Sequence, residues 1–125
     1  MSTQVTKSEN MLKKCLTVLT MMLFSIAFAQ KSGTATFYHD KYDGRVAADR
    51  SIFRQSALTC ASNVHKMGSI LRVTNKENGK SVIVKVTDTG GFKSPRIVDL
   101  SKSAFSKIAS LSRGVVSVLV EVIED

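Results

Sequence analysis

Residues 70–88, ILRVTNKENGKSVIVKVTD, carry the clearest structural signal in the chain. Two runs rich in β-branched residues, Ile70–Asn75 and Ser81–Thr87, are separated by a short polar connection. The pair Asn78-Gly79 in that connection is typical of a tight turn that needs a positive φ at two positions. The stretch therefore predicts a β-hairpin.

Further strand signals lie on both sides of this hairpin. In the last segment, Val115–Glu124, every second residue from Val116 to Val122 is a valine and shares one face. Leu119 and Ile123 on the opposite face predict a strand that is partly covered on both sides. Shorter strands are predicted at Gly33–Tyr38, Ala57–Ser62 and Arg96–Leu100.

One segment has helical periodicity. Ala104, Ile108 and Leu111 recur at i, i+4 and i+7, which predicts a helix from Ser101 to Leu111. Ser101 or Asp99 can cap its start, and Gly114 follows its end. Five or six strands with one short helix predict a small closed barrel, because closure removes exposed strand edges.

Length and composition indicate one globular domain. The chain has 125 residues, of which 43% are apolar and 22% charged, so neither a multidomain enzyme nor a disordered chain is expected. Eighteen Lys and Arg residues against ten Asp and Glu give a net charge of +8. Such an excess attracts anionic polymers. The basic residues are dispersed rather than clustered in a stripe, which argues against a nucleic-acid partner.

Residues 1–29 are interpreted as a secretory signal peptide. Basic Lys13-Lys14 precedes an apolar run over 15–28, and Ala27-Phe28-Ala29 is the small-x-small pattern of a cleavage site. The run is shorter than the roughly 20 residues that span a bilayer, so no transmembrane anchor is expected. Met11 is an alternative start. Cys15 begins the apolar run rather than ending it, which argues against lipidation, so we expect an exported domain over 30–125.

Seven fragments of this domain, in order, resemble RlpA-like (rare lipoprotein A) domains. The fragments are Gly33-x-Ala35-x-Phe37-Tyr38, Tyr42-x-Gly44-Arg45, Leu58-Thr59-Cys60-Ala61, Arg72-Val73-Thr74-Asn75, Asn78-Gly79-Lys80-Ser81-Val82, Val86-Thr87-Asp88-x-Gly90 and Ile97-Val98-Asp99-Leu100-Ser101. The resemblance implies a mainly β fold, the six-stranded double-psi β-barrel shared with expansins and barwin-like proteins, here with one short helix. It also implies an envelope protein that binds the glycan strands of peptidoglycan. Some members of the family cleave these strands as lytic transglycosylases.

Asp88 is the candidate acid for that reaction. Strand alternation places it on the same face as Val82, Val84 and Val86, at the carboxyl end of a strand. A carboxyl group at the edge of an apolar face is partly desolvated, which favours its protonated form. A lytic transglycosylase needs one such group, to protonate the glycosidic oxygen and then accept a proton from the muramic 6-hydroxyl. The alternative is a turn-forming aspartate before Gly90-Gly91.

The chain departs from the family pattern at three places. Ser62 stands where active members have a histidine, and neither His39 nor His65 is at that position. The usual Asp-Arg-Gly-Pro-Phe is Asp88-Thr89-Gly90-Gly91-Phe92, and the usual Thr-Ala-Ser-Gly-Glu is Ala47-Ala48-Asp49-Arg50-Ser51. Two hypotheses therefore stay open: an enzyme that uses Asp88, and a glycan-binding barrel that has lost catalysis.

Other residues are candidates for substrate contact. They are Tyr38, Arg45, Phe92 and Asp99, with Tyr42 as a further aromatic that can stack on a sugar ring. Asp99 has the alternative role of a helix cap. Cys60, the one cysteine of residues 30–125, is expected to be buried and inert. The sequence has neither the paired spacings of a zinc site nor a phosphate-binding loop, so no cofactor is expected.

Overall fold

The computed structural model describes residues 9–14 and 30–125. The chain divides into two compact units, Met1–Gln30 and Lys31–Asp125. In the first unit, residues 9–14 are helical. The apolar run of the predicted signal peptide, with Cys15 and the Ala29 cleavage site, lies outside the described residues. Within the described ranges, no helix is long and apolar enough to cross a membrane.

The second unit is built mainly from strands. The strands of residues 30–125 are β1 (Gln30–Phe37), β2 (Thr59–Ser62), β3 (Ile70–Asn75), β4 (Ser81–Asp88), β5 (Arg96–Leu100) and β6 (Val116–Glu124). One helix, α1 (Lys102–Ile108), follows β5, and short 3-10 turns lie at Asp40–Tyr42 and Leu111–Arg113. The strands close into a barrel in the order β1-β5-β2-β4-β3-β6. The prediction of a six-stranded barrel with one short helix in this unit is confirmed.

The barrel mixes strand directions. The pairs β1–β5 and β2–β4 are parallel, whereas β2–β5, β3–β4 and β3–β6 are antiparallel. Parallel neighbours must come from distant parts of the chain, because a short turn cannot join them. This order places β2, which comes well before both in the sequence, between β5 and β4.

The barrel interior is filled by aliphatic side chains. The alternating valines of β4 and β6 point inward with Leu71, Val73, Val98 and Leu100, and Phe105 and Ile108 of α1 complete the core. Leu119 is partly covered, but Ile123 is 46% exposed, so the outer face of β6 is covered less than predicted. Cys60 lies in this core, as expected, and burial raises the pKa of its thiol to about 12. A thiol in that environment does not ionise near neutral pH.

The hairpin and the helix differ in detail from the prediction. In the β3–β4 turn, Gly79 has a φ of 75°, but Asn78 has no positive φ, so the turn needs one left-handed position rather than two. Helix α1 ends at Ile108, earlier than predicted, and Gly114 closes the following 3-10 turn instead. Ser101 is the N-cap, since its hydroxyl accepts a hydrogen bond from the Ala104 amide. The capping role considered for Asp99 is therefore wrong.

Candidate active site

Four residues in register form a row across the outer face of the barrel. Thr36 of β1 pairs with Asp99 of β5, Asp99 pairs with Ala61 of β2, and Ala61 pairs with Asp88 of β4. Paired residues on neighbouring strands point to the same face of a sheet. Asp88 and Asp99 thus lie on either side of Ala61, with their Cα atoms about 10 Å apart, two strand spacings. The small Ala61 side chain leaves room between the two carboxyl groups.

A β-bulge turns Asp88 onto this face. Cys60 pairs with Val86, but Ala61 pairs with Asp88, so Thr87 is an extra residue that has no partner of its own in β2. A bulge of this kind reverses the alternation of the residues beyond it. The prediction that Asp88 shares the face of Val82, Val84 and Val86 is therefore wrong, because those valines point into the core.

Three residues of the row, Ala61, Asp88 and Asp99, line an open cavity of about 480 Å³. Its lining combines two carboxyl groups, aromatic rings and a loop that contains two glycines. The lining residues are Phe37, Tyr38, His39, Tyr42, Ala61, Asp88, Thr89, Gly90, Gly91, Phe92, Arg96 and Asp99. Asp88, Tyr38, Phe92 and Asp99 are thus brought together as candidate site residues. Open clefts with a few convergent polar groups are the usual form of a ligand site.

Three donors hold the Asp88 side chain in one orientation. Its Oδ1 accepts hydrogen bonds from the amides of Ala48 and Thr89, both at 3.0 Å. Its Oδ2 accepts a 2.9 Å hydrogen bond from the Tyr38 hydroxyl. A carboxylate oxygen can accept two hydrogen bonds, so Oδ2 keeps the capacity to accept a second one.

Tyr38 is fixed by packing and stays protonated. Its ring stacks on Phe53 at 4.1 Å between centroids and meets the edge of Tyr42 at 5.9 Å. Burial, reinforced by the Asp88 carboxylate, raises the pKa of Tyr38 far above its ordinary value. The hydroxyl is therefore a permanent donor toward Asp88. With 6% of its surface exposed, Tyr38 positions Asp88 rather than offering a ring face to a sugar.

Asp99 differs from Asp88 in its surroundings. Its Oδ1 accepts a 3.0 Å hydrogen bond from the Thr36 hydroxyl. Burial raises the pKa of Asp99 and the nearby Asp88 charge raises it further, against the opposing effects of Thr36 and Arg96. The two carboxyl groups in one cavity thus have different surroundings, and those of Asp99 favour its protonated form.

Phe92 and Arg96 form one wall of the cavity. The Arg96 guanidinium lies 4.8 Å from the centre of the Phe92 ring and donates a 3.3 Å hydrogen bond to Thr36. Arg96 thus puts a cation in the cavity, a feature the sequence analysis missed. Arg45, a predicted substrate contact, does not line the cavity; its guanidinium lies 5.6 Å from the Tyr42 ring instead.

The structure shows where Ser62, at the family's histidine position, and the histidines His39 and His65 lie relative to the cavity. Ser62 pairs with Val98, on the face turned away from the two carboxyl groups, and its hydroxyl accepts hydrogen bonds from the amides of Val64 and His65. The His65 ring lies beside that hydroxyl, at 3.2 Å, and does not line the cavity. His39 does line it, with Nδ1 accepting from the Lys41 amide. No sequence signal singled out His39, whose place depends on the loop after β1.

The loop over 47–51 keeps its shape despite an unfavourable residue. The Ala48 amide reaches Asp88, and the Asp49 amide donates to the Thr87 carbonyl at 3.1 Å. Arg50, which stands at the glycine of the usual pattern, has a φ of 73°. A side chain in this left-handed region costs about 1–2 kcal/mol. The loop's contacts with β4 support that conformation.

Among the described residues, no cluster of His, Cys, Asp and Glu could hold a metal ion.

The comparisons with known proteins agree with this barrel. Residues 30–120 match the double-psi β-barrel family described as lytic transglycolase, so the chain belongs to that family. The double-psi fold expected from the sequence is thereby confirmed.

A curated relative and two solved structures illustrate the likeness. The chain is 35% identical over 120 residues to the endolytic peptidoglycan transglycosylase RlpA of Pasteurella multocida, and the match covers 96% of the chain and 41% of that protein. The Streptomyces papain inhibitor matches with a TM-score of 0.63 and 25% identity over 76% of this chain and 94% of its own. The expansin of Clavibacter michiganensis has a TM-score of 0.55 and 23% identity, over 77% and 51%. The first relative is thus less than half covered.

Proposed function

We propose that this barrel cleaves the glycan strands of peptidoglycan as an endolytic lytic transglycosylase, with Asp88 as its acid–base residue. The observation that supports this most is the row of Asp88, Ala61 and Asp99 facing one open cavity, in a chain of this family. The signal peptide predicted at residues 1–29 would export the barrel to the envelope, where peptidoglycan is found.

The reaction needs one carboxyl group and no water. Protonated Asp88 gives its proton to the glycosidic oxygen as the bond from that oxygen to C1 of muramic acid breaks. The muramic 6-hydroxyl then bonds to C1 and closes an anhydro ring, and its proton returns to Asp88. Both protons are accounted for, and Asp88 ends in the state in which it began. Tyr38, Ala48 and Thr89 hold the carboxyl in one orientation through both transfers.

Asp99 has a separate role as a neighbouring carboxyl whose pKa is raised by burial. Two charged carboxylates beside one cavity repel each other, and the raised pKa of Asp99 reduces this conflict. A protonated Asp99 can also donate a hydrogen bond to a sugar hydroxyl. This role differs from proton transfer because an asparagine, which is neutral and a donor, can imitate it.

Two substitutions separate these roles. Purified sacculi are digested with each full-length variant, and anhydro-muramic products are measured by mass spectrometry. We expect Asp88→Asn to abolish product, since the amide has no proton for the leaving oxygen. We expect Asp99→Asn to keep at least about a tenth of the activity, because it imitates the neutral form. The reverse pattern would make Asp99 the proton donor.

The alternative function is a glycan-binding barrel without catalysis. It is favoured by Ser62, which replaces the expected histidine and faces away from the cavity. Under this hypothesis the wild type binds sacculi but yields no anhydro product, and Asp88→Asn changes binding alone. A wild type that neither binds nor cleaves sacculi would exclude both functions.

A further inference from the structure

We infer that Asn63 is a positioning residue that clamps the loop over 89–92, and thereby fixes the wall formed by Phe92 and Arg96. This inference rests on the proposed function for its consequence in glycan binding, but the clamp itself is a property of the fold. Asn63 directly follows β2, two residues after Ala61 at the centre of the row.

The Asn63 amide uses both of its ends on this loop. Its Oδ1 accepts a 2.9 Å hydrogen bond from the Gly90 amide, and its Nδ2 donates a 2.7 Å hydrogen bond to the Phe92 carbonyl. A backbone N–H only donates and a carbonyl only accepts, so the partners determine which end is which. Asn63 thus connects the end of β2, whose Ala61 lines the cavity, to the loop over 89–92, which forms part of the cavity wall.

The loop has few other restraints. Gly90 and Gly91 are adjacent, and a Cβ added at Gly91 would meet nothing within 4 Å. Among the described residues, no backbone–backbone hydrogen bond outside the strands involves 89–92. Two successive glycines carry a large conformational entropy that must be lost when the loop is ordered. The two hydrogen bonds from Asn63 offset part of that loss.

The clamp acts on Arg96 through Phe92. The Phe92 ring folds back so closely over Gly90 that a Cβ there would clash with the ring, and the Arg96 guanidinium lies on the ring. Arg96 also donates to Thr36, the hydrogen-bond partner of Asp99. Displacement of Phe92 therefore changes both the width of the cavity and the position of its cation.

Asn63→Ala tests the clamp, with Asn78→Ala as a matched control. Asn78 also holds backbone with both ends of its amide, the Ile108 carbonyl and the Lys80 amide, each at 2.9 Å, but it does not line the cavity. We expect Asn63→Ala to raise KM for glycan strands about tenfold while kcat stays within about threefold, since the wall binds ground state and transition state alike. Asn78→Ala should leave both constants unchanged. An unchanged KM in a folded Asn63→Ala protein would overturn the inference.

A rescue and a substrate-independent measurement complete the test. Adding Gly91→Ala to Asn63→Ala restricts the loop without a clash, and should recover part of the lost affinity. Amide hydrogen exchange at Gly90, followed by NMR, should accelerate at least about tenfold in Asn63→Ala but not in Asn78→Ala. If the wild type is inactive on sacculi and does not bind them, the proposed function fails, while the exchange rate still decides the clamp. Equal Gly90 exchange in wild type and Asn63→Ala would refute it.

Discussion

At the scale of single residues, the site depends on a difference between two aspartates that share one cavity. Asp88 is surrounded by three hydrogen-bond donors, whereas the Thr36 hydroxyl is the donor to Asp99, which burial shifts toward its neutral form. Ala61 between them is small enough to leave both carboxyl groups open to the cavity. The upward shift in the pKa of Asp99 follows from its burial rather than from its residue type.

Thr36→Val should move to higher pH the part of the alkaline decline in activity that comes from ionisation of Asp99. The Thr36 hydroxyl donates to Asp99 and so favours its ionised form, which lowers the pKa that burial has raised. Valine has a similar shape but cannot donate, so the pKa of Asp99 rises further and the neutral form persists to higher pH. The measurement is the pH dependence of kcat/KM on soluble glycan strands.

Asp99→Asn is the control for this shift. The amide is neutral at every pH, so this variant should lack the part of the alkaline decline that comes from ionisation of Asp99 and keep the part that comes from loss of the Asp88 proton. Adding Thr36→Val to Asp99→Asn should then cause no further change in the profile. A decline at the same pH in Asp99→Asn and wild type would assign that limb to another group.

At the scale of secondary-structure elements, Asn75 joins the β3–β4 hairpin to helix α1. Asn75 is 1% exposed; its Nδ2 donates to the Ile108 carbonyl at 2.8 Å and its Oδ1 accepts from the Glu77 amide at 2.9 Å. Asn78 donates to the same Ile108 carbonyl. The Ile108 carbonyl at the end of α1, which has no partner within the helix, therefore accepts hydrogen bonds from the side chains of Asn75 and Asn78.

Asn75→Ala should destabilise the barrel by about 2 kcal/mol, because it removes two hydrogen bonds from a buried position. Asn78→Ala should cost about 1 kcal/mol, since its side chain is more exposed and the Ile108 carbonyl keeps the Asn75 bond. Thermal unfolding followed by circular dichroism gives both values. Equal losses in the two variants would show that Asn75 is not the principal link.

The elements themselves were largely predictable from local pattern, but their relation at the site was not. The β-branched runs identified β3 and β4, and the 3.6-residue period identified α1 up to Ile108. The bulge at Thr87 has no signal in the sequence, because it arises from the parallel pairing of β4 with β2. Strand alternation consequently placed Asp88 on the wrong face, although Asp88 itself was identified.

Long-range contacts explain the other differences. Ser62 could be recognised as a departure from the family pattern, but its pairing with Val98, which turns it from the cavity, depends on register with β5. His39 and Arg96 line the cavity because loops and strands distant in the chain converge there. Such convergence follows from the order of strands in the barrel, which no single segment of the sequence specifies.

At the scale of the whole molecule, net charge and the size of the chain bear on how it meets its substrate. Without Lys7, Lys13, Lys14 and Glu9, the eighteen basic and ten acidic side chains become fifteen and nine, so residues 30–125 carry +6. The chain spans 41% of the length of its Pasteurella multocida relative. A net charge of this sign attracts an anionic polymer to residues 30–125.

Binding to purified sacculi should weaken as salt is raised. Peptidoglycan is anionic, and the field of a +6 domain extends about 10 Å at 0.1 M salt but only about 3 Å at 1 M. We expect most of the full-length protein to sediment with sacculi at the lower salt and much less at the higher. Neutral chitin, which shares the glycan backbone but lacks the carboxylates, is the control and should retain less protein, with little dependence on salt. Retention on sacculi that is equal at both salt concentrations would assign affinity to the uncharged contacts of the cavity, such as Tyr42 and Phe92, rather than to long-range attraction.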